Sequence, residues 1–121
     1  MSHTILLVDD DQSVRRLAHA ALSAYECGEV LVAESAAQAL EIAAKHATPI
    51  HLLISDIMMP GQLNGRDLAR KINEERPETK VVLMSGYVEK YEPAQSGWRF
   101  IHKPFLVSTL IKTVKEVLSE P

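Results

Sequence analysis

Four short, nearly apolar runs, each followed by a polar residue, constrain the fold of this chain more than any other feature. The runs cover residues 5–8, 52–55, 81–84 and 100–102, and the residues that follow them are Asp9, Asp56, Ser85 and Lys103. Because the runs lack alternation between polar and apolar residues, they are typical of strands that are buried on both faces. The sequence therefore predicts a parallel sheet whose strands end at four polar side chains.

Helical patterns separate these strands. A further apolar run at residues 30–33 predicts a fifth strand, and apolar residues at helical spacing follow the first, second, third and last strands. Ser35 and Asn64 precede two of these stretches and are expected to be helix N-caps. The stretch 88–97 carries a weaker apolar pattern, interrupted by a proline and a glycine, and predicts only a short or frayed helix.

The alternating order of strands and helices predicts an α/β fold. With right-handed crossovers, it gives a doubly wound, five-stranded parallel sheet with helices on both faces. The acids that end the first and third strands indicate the strand order 2-1-3-4-5, with a site at the switch point. Residues 1–121 are expected to form a single domain. Ligands of such sheets bind outside the carboxyl ends of the strands, where the four polar residues are expected to meet.

Composition narrows the function classes. A formal net charge of −3 provides no basic surface for DNA or RNA, so no nucleic-acid partner is expected. Cys27 is the one cysteine of the sequence, which fits a reducing compartment. No apolar stretch approaches the roughly 20 residues of a membrane span, and the N-terminus has no signal-peptide pattern. The expectation is a cytoplasmic protein without a membrane partner.

The motifs at the strand ends resemble those of receiver domains of two-component response regulators, which are CheY-like, flavodoxin-like proteins. The motifs are Leu7-Val8-Asp9-Asp10-Asp11, Ser55-Asp56-Ile57-Met58-Met59-Pro60, Asn64-Gly65, Met84-Ser85-Gly86-Tyr87 and Lys103-Pro104-Phe105. They occur in family order and span the whole chain. The Ser-Gly-Tyr variant is similar to receivers of hybrid histidine kinases and to some stand-alone receivers.

The resemblance implies a role for each matched residue. Asp56 is expected to be the phosphoacceptor, Asp9 and Asp10 the acidic pair that holds Mg²⁺, Ser85 the switch hydroxyl, and Lys103 the lysine that contacts the phosphoryl group. It also implies a phosphohistidine donor, either a histidine kinase or a histidine phosphotransfer protein. The expected assembly state is a monomer or weak dimer.

The chemistry of these residue types fits the implied roles. A carboxylate attacks phosphorus slowly unless the charge on the phosphoryl group is neutralised, which Mg²⁺ can do. Mg²⁺ prefers one or two carboxylates with waters that complete an octahedron. Asp10 and Asp56 are expected to ligate directly, Asp9 through water, and Met58 through its backbone carbonyl. Asp11 is expected to be only an acid at a helix N-terminus.

The sequence departs from the common receiver pattern in three places. The loop at residues 60–65 is one residue longer than usual, and Gly86 follows the switch hydroxyl where alanine is common. The segment between Ser85 and Lys103 is short by about one helical turn. Phe100 occupies the place of the aromatic switch residue.

Two rival functions remain at this point. The Asp9-Asp10-Asp11 run contains the Asp-x-Asp spacing of haloacid dehalogenase-type phosphatases. That family also needs a pair of acids downstream of its lysine to hold Mg²⁺, and after Lys103 the only acids are Glu116 and Glu120. A receiver that no longer accepts phosphate and acts as a scaffold is the other alternative. The chain is expected to be either a stand-alone receiver or part of a longer protein, because no output domain follows the last helix.

Overall fold

The computed structural model describes residues 3–86 and 97–120 of the 121-residue chain. The described strands are β1 (Thr4–Val8), β2 (Glu29–Ala33), β3 (Leu52–Asp56), β4 (Lys80–Ser85) and β5 (Arg99–His102). The described helices are α1 (Gln12–Ala24), α2 (Ala36–Lys45), α3 (Gly65–Glu75) and α4 (Val107–Ser119). The helix expected at residues 88–97 and the motif residue Tyr87 lie outside the described residues, apart from Gly97.

The five strands form one parallel sheet with the order β2-β1-β3-β4-β5. This order confirms the predicted doubly wound fold and its switch point between β1 and β3. The register pairs Val8 with Ser55, and Asp56 with Met84, so the carboxyl ends of the central strands lie side by side. Asp56 and Ser85 are the last residues of β3 and β4, so both side chains lie at that edge of the sheet.

The continuous apolar runs are explained by helices on both faces of the sheet. One face of β1 and β3 packs with α1 and α4, and the core there includes Ile5, Leu7 and Ile54. The other face packs with α2 and α3 and includes Leu6 and Leu53. Each of these five side chains is fully buried, which contributes about 1.5–3 kcal/mol per residue relative to exposure. The sheet is therefore a rigid base for the loops at its carboxyl edge.

Polar caps fix where three helices begin. Ser35 and Asn64 cap α2 and α3 as predicted, and Asn64 forms a capping box with Asp67. Asp11 caps α1, because its Oδ1 accepts hydrogen bonds from the amides of Ser13 and Val14 at 2.8 and 3.2 Å. Each such cap contributes about 1 kcal/mol. Among the described helices, none has the length and hydrophobicity that a bilayer crossing requires.

Candidate functional site

Three carboxylates meet at the carboxyl ends of β1 and β3. Asp9 follows β1, Asp10 lies in the loop before α1, and Asp56 ends β3. Each offers one oxygen, and these three atoms lie within 4.8 Å of one another. Asp9 and Asp56 are buried, whereas Asp10 is exposed. A compact group of carboxylates with one open side is the kind of arrangement in which a hard cation can bind and still retain water ligands.

Lys103 contributes a cation to the same cluster. Its Nζ donates to Asp9 Oδ2 at 2.8 Å and lies 3.4 Å from Asp56 Oδ2. The lysine follows β5, and its amide donates to the Ser85 carbonyl oxygen at 2.7 Å, which ties the end of β5 to the end of β4. Lys103 is thus brought across the sheet from β5 to the acids at the ends of β1 and β3.

The surroundings of Asp9 account for its complete burial. One carboxylate oxygen accepts the Lys103 hydrogen bond, and the other accepts the Asp11 amide at 2.9 Å. Both oxygens therefore have partners, as a buried charge requires. Burial alone would lower the pKa of Lys103, but the hydrogen bond and charge of Asp9, with the charge of Asp56, outweigh burial and raise that pKa. The Lys103 ammonium is accordingly held in its charged form.

The surroundings of Asp56 disfavour its ionised form. Burial raises its pKa to about 6, Lys103 opposes the shift, and the charges of Asp9 and Asp10 add to it. The carboxyl group of Asp56 is ionised at neutral pH, although it is surrounded by other acids. Three carboxylates and one lysine leave an excess of negative charge, so the donor set fits a divalent cation such as Mg²⁺.

The remaining predicted site residues lie at the same edge. Ser85 is buried at the end of β4 and has a hydroxyl group that can donate one hydrogen bond. Met58 follows β3 by two residues, and its side chain is 57% exposed. A methionine side chain contains no oxygen, so the backbone carbonyl is the only oxygen that this residue can offer to a metal.

Gly65, the first residue of α3, is a structural residue of the site whose role the sequence analysis missed. Its amide donates to the Ile57 carbonyl oxygen at 2.8 Å. A Cβ atom at position 65 would overlap the Asp56 carbonyl oxygen and come within 2.8 Å of the Ile57 Cα. The start of α3 therefore packs directly against the backbone of Asp56. The sequence does carry one signal of this role. Glycine disfavours helices, so a glycine at the first position of a capped helix indicates a site where a side chain would not fit.

The raised pKa of Asp56 gives a stability prediction. The folded chain holds a proton on Asp56 up to about pH 6, whereas the unfolded chain releases it near pH 3.8. Stability from this group is therefore present at low pH and is lost as pH rises towards 6. Since asparagine mimics the neutral acid, Asp56→Asn is expected to raise the free energy of unfolding at pH 7 by roughly 1–3 kcal/mol without Mg²⁺.

Urea denaturation in a chelator at pH 4 and at pH 7 measures this effect. The stabilisation by Asp56→Asn is expected to be largest at pH 7 and to shrink at pH 4. Asp11→Asn is the control for the loss of one negative charge near the site. Its amide side chain keeps an oxygen that can still cap α1. A stability difference between wild type and Asp56→Asn that is the same at both pH values would contradict the prediction.

The family model described as the response regulator receiver domain matches residues 5–115 of the chain. The sensor kinase CckA of Brucella abortus (strain 2308) is 34% identical over 98% of this chain, which spans 13% of that relative. The response regulator receiver protein CpdR of the same strain is 29% identical over 94% of this chain and 95% of the relative. A crystal structure of the receiver domain from the hybrid histidine kinase CckA has a TM-score of 0.83 and 36% identity, covering 96% of this chain and 99% of that one.

Proposed function

The chain belongs to the family of response regulator receiver domains, and from that premise we propose that it accepts a phosphoryl group on Asp56. Receiver domains are signalling modules of two-component systems, and they interact with histidine kinases or histidine phosphotransfer proteins. The observation that carries the proposal is the cluster of Asp9, Asp10 and Asp56 with the Lys103 ammonium beside it.

In the proposed reaction, a carboxylate oxygen of Asp56 attacks the phosphorus of a phosphohistidine. The new P–O bond forms as the P–N bond breaks, and the electron pair of that bond remains on the imidazole nitrogen. Lys103 binds one phosphoryl oxygen, and the Ser85 hydroxyl donates to another. The 3.4 Å distance from Lys103 Nζ to Asp56 Oδ2 supports the first role, because a small movement of the ammonium reaches a group attached to that carboxylate.

Receiver domains bind Mg²⁺ through an acidic cluster, and the residues here fit that ion. When bound, Mg²⁺ would neutralise negative charge on the phosphoryl group. We propose Asp10, Asp56 and the Met58 carbonyl as direct ligands, with Asp9 acting through water. The water-mediated role of Asp9 is supported by its full burial and by the hydrogen bonds that already occupy both of its oxygens.

An apolar cleft beside the acceptor supports a protein phosphodonor. The cleft has a volume of about 370 Å³ and is lined by Val14, Leu17, Gly86, Lys103, Pro104 and Phe105. Leu17 is 48% exposed on α1, and Leu106 on the loop before α4 is 71% exposed. Because Lys103 lines both this cleft and the acidic cluster, a partner that delivers phosphohistidine to Asp56 would cover these apolar side chains.

The proposed output is a change in a protein-interaction surface. Phosphorylation would draw Ser85 towards the new group and alter the position of Phe100 on β5. Phe100 is partly buried against the α2–α3 side of the sheet, and the Arg66 guanidinium lies 5.6 Å from the centre of its ring. Because the ring is not fully enclosed by the core, a change in its position would alter the protein surface, which supports this assignment.

The length of the relatives bears on whether this receiver stands alone or is part of a longer protein. The chain spans 13% of the length of the CckA relative and 95% of the CpdR relative, so receivers of this kind occur in both arrangements. We propose a cytoplasmic module, either stand-alone or part of a longer protein, that is monomeric or weakly dimeric. A net charge of −3 supports the absence of a nucleic-acid partner.

Incubation of the chain with acetyl phosphate and Mg²⁺, followed by intact mass spectrometry, tests the proposed function. One added phosphoryl group is expected with Mg²⁺ and none with a chelator. Continuous hydrolysis of many donor molecules without a stable adduct would instead favour the phosphatase alternative. That alternative has little support in the geometry, because Asp11, the second acid of its motif, caps α1.

The two exposed acids before α1 are expected to differ in their effect on Mg²⁺ binding. Asp10→Asn removes a proposed ligand and is expected to weaken Mg²⁺ binding by at least about tenfold. Asp11→Asn keeps the cap and is expected to change the affinity only by the loss of one nearby charge. A Mg²⁺ titration followed by NMR shifts of backbone amides gives both dissociation constants. Equal losses of affinity in the two variants would contradict the assignment of Asp10 as a ligand.

A further inference from the structure

Arg15 contacts the loop that carries the acidic pair of the site. Its Nη1 donates a hydrogen bond to the backbone carbonyl oxygen of Asp9 at 2.7 Å. The Arg15 side chain is only 16% exposed, and its Nη2 lies 3.9 Å from Oε2 of Glu34, which follows β2. Hydrogen bonds from a charged donor are stronger than neutral ones, and partial burial strengthens them further. The guanidinium therefore holds the Asp9 carbonyl oxygen in place.

The carbonyl that Arg15 binds belongs to the peptide group between Asp9 and Asp10. Because a peptide group is planar, fixing its oxygen also fixes the direction in which the backbone enters Asp10. The next peptide is fixed as well, because the Asp11 amide donates to Asp9 Oδ1 at 2.9 Å. Arg15 itself is anchored in the first turn of α1, where its amide donates to the Asp11 carbonyl at 2.9 Å.

The Asp10 carboxylate depends on this backbone for its direction. Asp10 is exposed, and its side chain makes no hydrogen bond or ion pair within residues 3–86 and 97–120. Nevertheless, one of its oxygens lies within 4.8 Å of oxygens of Asp9 and Asp56. A carboxylate without contacts of its own is held near its neighbours by the peptide groups on either side of it.

We propose that Arg15 is a positioning residue of the divalent-cation site, which directs the Asp10 carboxylate towards Asp56 by holding the Asp9–Asp10 peptide group. The proposal rests on the proposed Mg²⁺-dependent function and adds to it a residue that does not touch the ion. Arg15 would have this role even though its positive charge by itself repels Mg²⁺.

The positive charge and the positioning role have opposite effects on Mg²⁺ affinity. Removing a cation near the site tightens Mg²⁺ binding through space. Removing the contact that orders the acidic loop weakens binding, because a misdirected ligand must be reordered by the ion. Arg16 provides the matched control: it is the next residue of α1, is exposed, and makes no hydrogen bond or ion pair within the described part of the chain.

Mg²⁺ titrations of the full chain, followed by NMR shifts of backbone amides, separate the two effects. Arg15→Gln is expected to weaken Mg²⁺ binding by roughly three- to tenfold, since partners outside the ligand shell commonly change affinity by 10- to 100-fold and this one acts through the backbone. Arg16→Gln is expected to leave the affinity unchanged or slightly tighter. Equal or tighter binding in Arg15→Gln would overturn the proposal.

A second pair of variants keeps the test valid if Arg15→Gln does not fold. Arg15→Lys retains the charge but is shorter and lacks the guanidinium fork, so its Mg²⁺ affinity is expected to fall below that of Arg16→Lys. Equal affinities in the two lysine variants would overturn the proposal, as would a lowered melting temperature with unchanged Mg²⁺ affinity. Failure of the wild-type chain to bind Mg²⁺ would overturn the proposed function on which this inference rests.

Discussion

Asp56→Asn is expected to abolish the covalent phosphoryl adduct that the wild-type chain forms with acetyl phosphate and Mg²⁺. Asparagine keeps the size and the position of the side chain at the end of β3, but its neutral amide is a much weaker nucleophile than a carboxylate. Asp9 cannot replace it by simple proximity, because its carboxylate is fully buried and hydrogen-bonded at both oxygens. The expected change is from one phosphoryl group per chain to none.

Intact mass spectrometry measures the adduct, and Asp11→Asn is the matched control. Asp11 lies in the same acidic run, but its carboxylate caps α1, so labelling of Asp11→Asn is expected to reach the wild-type level. Thermal unfolding of both variants shows whether each is folded, and Asp56→Asn is expected to be the more stable protein at neutral pH. Full labelling of Asp56→Asn would show that another residue is the acceptor.

The strands could be predicted because local sequence determines them, and their order followed from right-handed crossovers and from the acids that end the first and third strands. The runs at residues 5–8, 52–55 and 81–84 have no polar alternation, and only strands covered on both faces bury such runs completely. Since parallel strands carry their carboxyl ends to one edge, the residues that follow these runs had to lie at that edge. The helix caps Ser35 and Asn64 were predictable for the same reason, because capping depends on neighbours three residues away.

Other parts of the site depend on contacts between distant segments, which no local pattern shows. Lys103 lies closer to Asp9 than to Asp56, and nothing in the local sequence around any of the three residues shows this difference. In the sequence, Arg15 is indistinguishable from other basic residues of the predicted helices. Only the fold shows its hydrogen bond to the Asp9 carbonyl oxygen. The raised pKa of Asp56 likewise arises from burial, which the sequence does not give.

Gly65 shows how strongly such a distant contact can constrain one position. Its α carbon lies so close to the Asp56 carbonyl group that a Cβ atom would overlap the carbonyl oxygen and lie 2.9 Å from the carbonyl carbon. Both groups are anchored, because Asp56 pairs with Met84 of β4 and the Gly65 amide donates a hydrogen bond to the Ile57 carbonyl oxygen. A side chain at this position must push α3 away from the end of β3.

Gly65→Ala is therefore expected to destabilise the fold and to impair phosphorylation together. Helix propensity alone would favour alanine over glycine, so a loss of stability would have to come from the overlap. The expected decrease in the free energy of unfolding is about 3 kcal/mol or more. A displacement of Asp56 by about 1 Å is expected to slow phosphorylation by roughly 10²-fold in the fraction that remains folded.

Gly86→Ala is the matched control for this substitution, because Gly86 lies beside Ser85 at the same edge and a Cβ atom there meets no heavy atom of residues 3–86 and 97–120 within 4 Å. Its stability is expected to stay within about 0.5 kcal/mol of wild type in urea denaturation. The phosphorylation rate of each variant is measured from the adduct formed over time with acetyl phosphate. Equal stability of Gly65→Ala and Gly86→Ala would contradict the prediction. It would mean that α3 can move away from β3 at little cost in free energy. The close packing of α3 against Asp56 would then not be what positions the acceptor.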